Sequence, residues 1–245
     1  MNLSSFGLCS VGRRSNNEDA LCDAPQLGLF VVADGLGGYE GGEIASSLTV
    51  AALRRFVEDN RRDPEGTWPI REAKGRSYEE NLLVAATVVA HREIAARREG
   101  ILSQMGSTVV AALVHATRLI VAHVGDSRLY RLRDGAVKAL TRDHSMWGEM
   151  EASGTAGDRA SFPWKNQITR ALGLPGNSWA DVATFPIEAG DRYLLCSDGL
   201  YDPLDEARLK AGLTLTPEAA CKDLVHAAFA AGSTDNITAV VIACS

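Results

Sequence analysis

Much of what would mark other classes of protein is missing from this sequence. No apolar run is long enough to span a bilayer. The N-terminus carries neither the cationic nor the apolar stretch of a secretory leader. The expectation is a cytoplasmic chain with no membrane insertion. Cysteine is sparse, and Cys9, Cys22, Cys196, Cys221 and Cys244 form no C-x-x-C pair. They read as buried, reduced thiols in apolar runs. Basic surplus is also absent: 25 Lys and Arg face 31 Asp and Glu, for a net charge of -6. A nucleic-acid role therefore has no electrostatic support, whereas surplus carboxylates suit a protein that holds cations. The five histidines do not pair at metal-ligand spacing. His91 and His226 fall in predicted helices and His115 and His123 beside strands, so structural roles are expected. His144, next to an irregular segment, is the one functional candidate among them. The glycine-rich stretch from Gly35 to Gly42 lacks a Gly-Lys-Ser/Thr ending and the G-x-G-x-x-G spacing. It reads as a metal-adjacent turn into a helix, not a nucleotide site.

What is present begins with a large apolar fraction. The 245 residues are 46% hydrophobic, enough for one large domain or two small ones. Strands are expected over Leu3–Val11, Ala20–Cys22 and Gln26–Ala33. Helices are expected over Glu43–Asp59, with Ile44, Leu48, Ala51, Ala52 and Phe56 on the buried face, and over Tyr78–Arg98, with Leu82, Ala85, Ala86, Val89 and Ala96 inward. Residues 60–75 between them read as a surface insertion. Short strands follow over Thr108–Val114, Leu119–Val124, Arg128–Leu132 and Val137–Leu140. Asp134-Gly135 signals a tight hairpin because both residues tolerate positive φ. Thr141–Ala180 is irregular, with a short helix near Ser145–Ala152. Strands resume at Val182–Pro186 and Asp191–Cys196. Helices are expected over Leu204–Ala211 and from Pro217 to about Ala231, the second capped by Thr216. Ile237–Ala243 is a final strand. Strand and helix do not alternate, which argues against a doubly wound parallel sheet. Two antiparallel sheets packed face to face, with helices outside, fit better.

Aspartates punctuate these strands. Asp34 ends Phe30-Val31-Val32-Ala33, Asp126 follows Val124-Gly125, Asp198 follows Leu194-Leu195-Cys196-Ser197, and Asp235 precedes Asn236-Ile237. Glu18 and Asp19 form a fifth place. Singly, each is an ordinary turn residue, as Asp134 is. Together they are not, because buried strands do not repeatedly end in uncompensated carboxylates. Oxygen donors without Cys or clustered His point to a hard ion, Mg²⁺ or Mn²⁺, over zinc. Gly35 lets the backbone approach what Asp34 holds, which makes its carbonyl a further candidate ligand. Arg14, four residues before Glu18, is suited to grip two phosphate oxygens, or else to pair with Glu18 or Asp19.

Six pieces in order resemble the metal-dependent protein phosphatase family, also called protein phosphatase 2C, in its bacterial form. They are Arg14-Ser15-Asn16-Asn17-Glu18-Asp19, Ala33-Asp34-Gly35-Leu36-Gly37-Gly38, Gly106-Ser107-Thr108, Gly125-Asp126-Ser127-Arg128, Ser197-Asp198-Gly199-Leu200 and Asp235-Asn236-Ile237-Thr238. The resemblance spans nearly the whole chain, so residues 1–245 are expected to form a single catalytic domain. It implies an α+β fold, a four-layer αββα sandwich of two stacked antiparallel sheets flanked by pairs of helices. It implies Mn²⁺- or Mg²⁺-dependent hydrolysis of phosphoserine and phosphothreonine on proteins, by in-line attack of a water held between two ions. Asp34, the Gly35 carbonyl, Asp198 and Asp235 match the family's metal ligands. Glu18 matches a position acting through water, and Asp19 adjoins it. Asp126, with Asp198, matches a third, weaker metal site, and Arg14 the phosphate-binding arginine. Residues 141–180 match a flap that shapes substrate access.

Three departures stand out: the turn from Gly12 to Arg14 is one residue short, Leu36 replaces a histidine proposed as general acid in eukaryotic members, and residues 60–78 are distinctive. That last segment resembles a loop in members linked to bacterial secretion systems. The expected partners are phosphorylated proteins, among them a Ser/Thr kinase or its targets, met by a monomer. Two rivals stand beside this reading: a non-catalytic metal- or phosphopeptide-binding module of the same fold, and a phosphohydrolase of small metabolites.

Overall fold

Alternation along one strand sets the layering. In β3 (Leu29–Leu36), Val31 packs with residues of the helices on one face, while Phe30 and Val32 pack on the other face against a second sheet. The computed structural model describes residues 2–37, 41–63, 66–157, 162–164, 167–176 and 178–245. One sheet contains β2 (Asp19–Ala24), β3, β5 (Val109–His115), β6 (Arg118–Val124) and β9 (Asp181–Pro186), in the order β2-β3-β5-β6-β9. A two-residue strand, β4 (Gly106–Ser107), pairs with the end of β3. The other sheet contains β1 (Leu3–Ser10), β7 (Arg128–Arg133), β8 (Ala136–Ala139), β10 (Arg192–Cys196) and β11 (Ile237–Cys244), in the order β1-β11-β10-β7-β8. Every pairing in the two sheets is antiparallel.

Three cores hold four layers together. Between the sheets, Phe30, Val110 and Val121 meet Tyr193, Val240 and Ile242. Outside the first sheet, Val31 and Ala111 pack with Leu53 and Val57 of α1 (Gly41–Arg62) and Leu83 and Ala90 of α2 (Tyr78–Ala95). Outside the second, Leu194 and Val241 pack with Leu209 of α5 (Glu206–Leu213) and Leu224 of α6 (Pro217–Ala230). The expected αββα sandwich with paired helices is the observed one. Two shorter helices, α3 (Met146–Ser153) and α4 (Asp198–Tyr201), complete the described set. No described helix is long and apolar enough to cross a membrane.

Several expectations need correction. The buried face of α1 is Ala45, Thr49, Ala52, Leu53 and Val57, about one residue round from the expected face. Ala51 is exposed, and Ile44, Leu48 and Phe56 pack only partly. α2 ends at Ala95, so Ala96 is its exposed C-cap and not an inward residue. Thr216 precedes Pro217 but makes no side-chain capping bond. The 60–75 segment is pinned where it is described. Trp68 packs against Phe56 and Tyr78, at centroid distances of 6.1 and 5.3 Å, and the buried Asn81 bonds Ala73. The Asp134-Gly135 hairpin forms as expected, with φ of 50° and 73°.

Candidate active site

Strand register brings the first carboxylates together. Asp19 lies directly opposite Asp34 in the β2–β3 pair, and the Gly35 N–H donates to the Glu18 carbonyl at 3.0 Å. The strand does not stop at Asp34, as its apolar run suggests. It continues to Leu36, because β4 supplies partners: Gly35 pairs with Ser107 and Leu36 with Gly106. The Asp34 N–H donates to Thr108 Oγ1 at 3.1 Å, and its carbonyl accepts from the Thr108 N–H at 2.8 Å. Both backbone groups of Asp34 are thereby fixed, and the carboxylate is the part left to act. Gly35 passes close to α1, where a Cβ would stand 2.1 Å from the Gly42 carbonyl oxygen.

The remaining acids arrive from distant segments. Asp126 follows the turn at Gly125, whose φ is +100°. Its carbonyl accepts from the Tyr201 hydroxyl at 3.0 Å, and the next residue, Ser127, meets Thr108 Oγ1 at 2.7 Å. Asp198 opens α4 just beyond β10, and Asp235 lies between α6 and β11. The result is one cleft of about 580 Å³, lined by Arg14, Glu18, Asp34, Gly35, Asp126, Asp198 and Asp235 together with seven further residues. Asp19 is not among its lining residues. It stands behind the wall, 8% exposed, and accepts a 2.7 Å bond from the Ser197 hydroxyl.

Crowding and burial set the electrostatics. Burial is the first cause that raises the carboxyl of Asp34, followed by the charges of Asp19, Asp198 and Asp126. Asp126 is pushed up to about 8 by burial and then by Asp198. Burial also raises Asp19 and Asp198, the latter with help from Asp235, and Glu18. Asp198 Oδ1 is buried without a hydrogen-bond partner. Carboxylates that repel one another, with an unsatisfied buried oxygen among them, are a donor set for a hard divalent cation. The residues present therefore fit such an ion.

Arg14 stands at the rim, with its side chain 54% exposed. Its Nη2 donates to Asp235 Oδ2 at 2.7 Å and its Nε to the Thr234 carbonyl at 3.1 Å. The salt-bridge partner is Asp235, not the nearby Glu18 or Asp19. Asn236, within the Asp235-Asn236-Ile237-Thr238 motif, organises this wall. Its Nδ2 donates to the carbonyls of Val11 and Asn16, and its Oδ1 accepts from the Glu18 N–H. Ile168, in the segment after α3, and Thr108 also line the cleft. Ile168 carried no chemical signal, whereas Thr108 and Asn236 stood inside recognisable motifs.

A second cluster lies beside this site. The rings of His123 and His144 stack at 4.5 Å, and Asp181 lies 3.2 Å from His144 Nε2. These three could be taken for a metal site. However, Arg170 Nη1 stands 2.8 Å from Asp181 Oδ1 and 3.2 Å from His144 Nε2, so a guanidinium already supplies the positive charge. Burial holds His144 down, to about 4, and lowers His123 as well.

Comparison with known proteins places these features in context. The family model described as "Protein phosphatase 2C" matches residues 10–231. The serine/threonine protein phosphatase PstP of Mycobacterium tuberculosis is 36% identical over 235 residues, covering 93% of this chain and 42% of the relative. The chain thus spans less than half the length of that relative. The catalytic domain of PstP in complex with two manganese ions superposes with a TM-score of 0.82 at 32% identity, covering 98% of this chain and 97% of that one. PppA of Pseudomonas aeruginosa, described as a key regulatory component of T6SS, superposes at 0.81 with 35% identity, covering 100% and 99%.

Proposed function

The chain belongs to the protein phosphatase 2C family, and from that premise we propose that it is a Mn²⁺- or Mg²⁺-dependent serine/threonine protein phosphatase. The observation that carries this reading is the convergence of Glu18, Asp34, Asp126, Asp198 and Asp235, from distant segments, on one cleft with Arg14 at its rim. In this reading Asp34, the Gly35 carbonyl, Asp198 and Asp235 hold two ions, Glu18 and Asp19 support them, and Asp126 with Asp198 holds a third. Bound ions of this kind lower the pKa of water and neutralise charge on phosphoryl oxygens.

The chain's own residues do the rest. Arg14 shares its guanidinium between Asp235 and the equatorial phosphoryl oxygens, where planar two-point contact stabilises developing charge. Among the described residues lining the cleft there is no cysteine and no histidine. The Thr108 hydroxyl is engaged with Ser127 and with the Asp34 N–H. With those two nucleophiles absent from the lining and the aspartates assigned to the ions in this reading, the route we propose is direct hydrolysis without a phosphoenzyme. Asn236 keeps the Arg14–Glu18 turn in place through three bonds. Ile168 closes one side of the cleft with an apolar wall.

At a finer level we infer a role that opposes a Ser/Thr kinase, and the likeness to PppA, described as a key regulatory component of T6SS, supports a regulatory setting of that kind. The experiment that tests the activity is phosphate release from phosphoserine and phosphothreonine peptides, with Mn²⁺ and with chelator. Release from peptides that chelator stops is the expected result. Turnover of sugar phosphates alone would favour a metabolite phosphohydrolase, and Mn²⁺ binding with no release would favour a binding module.

A further inference from the structure

The short turn before Arg14 places a second cation beside it. Val11–Arg14 is a four-residue turn closed by the Arg14 N–H, which donates to the Val11 carbonyl at 3.2 Å. Gly12 takes a positive φ of 61° at the first inner position. A Cβ on Gly12 would stand 2.1 Å from the Asp235 carbonyl oxygen, so the turn lies directly on the chain between α6 and β11. The second inner position is Arg13, which is exposed.

Both guanidinium groups are anchored along that same stretch. Arg14 bonds Thr234 and Asp235. Arg13 reaches the end of α6 instead. Its Nη2 donates to the Phe229 carbonyl at 3.3 Å, and its guanidinium carbon lies 5.0 Å from the centre of the Phe229 ring. An aromatic face and the carbonyl end of a helix both favour a cation, so the group is held in place. It is not neutralised there. Among the described residues no carboxylate pairs with Arg13, whereas Arg14 is paired with Asp235. One N–H is spent on Phe229, and a guanidinium has five. Arg13 is also outside the cleft lining, away from the acids that line it.

We propose that Arg13 is a specificity-determining residue that reads an anionic side chain next to the phosphorylated one, so that favoured substrates carry an acidic or second phosphorylated residue beside the group hydrolysed. This rests on the reading in which Arg14 receives the phosphoryl group. Neighbouring Cα atoms are about 3.8 Å apart, close to the rise of about 3.4 Å per residue in an extended peptide. A peptide that offers its phosphoryl group to Arg14 therefore passes its flanking residues within reach of Arg13. A carboxylate or a phosphate can take two of the open N–H groups at once.

The test uses phosphoserine peptides that differ only in the flanking residues, which are Ala, Asp, Lys or a second phosphoserine. kcat and KM are measured on the full chain with Mn²⁺. The parent should favour Asp over Ala by about threefold to fivefold in kcat/KM, expressed in KM, because an exposed charge pair contributes modestly. A second phosphoserine should exceed Asp, since it carries more negative charge. Both preferences should shrink in about 0.5 M salt. Arg13→Gln keeps a donor for the Phe229 carbonyl and loses the charge, and its Asp-to-Ala ratio should fall below about 1.5. Arg13→Glu should reverse the order and favour Lys over Asp by about threefold. A residue that merely capped α6 would lower the melting temperature in both variants without reversing any preference.

Thermal melting checks that each variant folds, and Arg13→Lys, which keeps the charge and should keep most of the preference, stands in if Arg13→Gln does not. A preference for the second phosphate alone would assign Arg13 to phosphate, and one that includes Asp would assign it to carboxylates as well. A parent that treats all flanks alike would overturn the proposal, as would an acidic preference undiminished in folded Arg13→Gln. If no phosphopeptide is turned over, the phosphatase reading fails by itself. Fluorescence anisotropy of the same peptides, labelled and bound to parent and Arg13→Gln, then decides whether Arg13 reads the flank.

Discussion

Asp34 and Asp126 reach one cleft in different company. Asp34 has both backbone groups pinned by Thr108, whereas Asp126 hangs on a glycine turn that His144 and Tyr201 hold. Both are pushed upward by burial and by neighbouring acids. This has a consequence for stability. Asp19 is raised to about 7 and Asp126 to about 8, with Asp34 shifted in the same direction, so between about pH 6.5 and 8 the native metal-free protein still holds part of the protons that unfolded carboxylates lose near pH 4. The native state binds more protons, so stability falls as pH rises through this window. Buried His123 and His144 act in the opposite sense, but only below about pH 6.5, where an unfolded imidazole is charged. The melting temperature of chelated protein is therefore expected to drop from pH 6.5 to 8. Mn²⁺ should remove most of that drop, because it favours the ionised carboxylates. A melting curve independent of pH in chelator would contradict the crowded-acid account. At the same scale, Asp198→Asn should lower kcat by more than about a hundredfold with the fold intact. Circular dichroism beside a phosphopeptide assay checks this.

At the scale of elements, the sequence was legible where periodicity and turn chemistry act locally. The Asp134-Gly135 hairpin, the helix from Pro217 and most strand positions follow from residues within a few places of one another. What could not be seen depended on distant partners. β3 outruns its apolar stretch because Ser107, far along the chain, pairs with Gly35. α1 turns Ala45, Ala52, Leu53 and Val57 to the core, and its start is held against β3, where Gly35 and Gly42 leave no room for a side chain. Gly35→Ala should therefore cost about 1–3 kcal/mol by forcing β3 and α1 apart, and impair Mn²⁺ binding as well. Urea denaturation with and without Mn²⁺ measures both effects. The 60–75 segment reads as an insertion, but Trp68 ties it to α1 and α2. Trp68→Ala is expected to lower stability by about 1–3 kcal/mol, with kcat within about twofold of the parent. A large loss of kcat in a well-folded variant would show that this segment reaches the site.

Across the whole molecule, two sheets are stacked so that acids at β2, β3, β6, β10 and β11 share one rim. Four aspartates in similar local settings announced this in the sequence, because repeated carboxylates at strand ends need a common explanation. Asp19 had the same signal but a different placement: its strand pairs it with Asp34 while its side chain turns to Ser197. His144, buried beside the Gly125 turn, had no sequence signature beyond its position. The central claim is that these separated acids act as one cation-binding unit that hydrolyses phosphoproteins. Calorimetric titration of the full chain with Mn²⁺ at pH 7.5, with phosphopeptide turnover read on the same samples, tests it most directly. The account predicts at least two ions bound, turnover that rises with their occupancy, and loss of both in Asp34→Ala. Undiminished Mn²⁺ binding and turnover in a folded Asp34→Ala protein would contradict it.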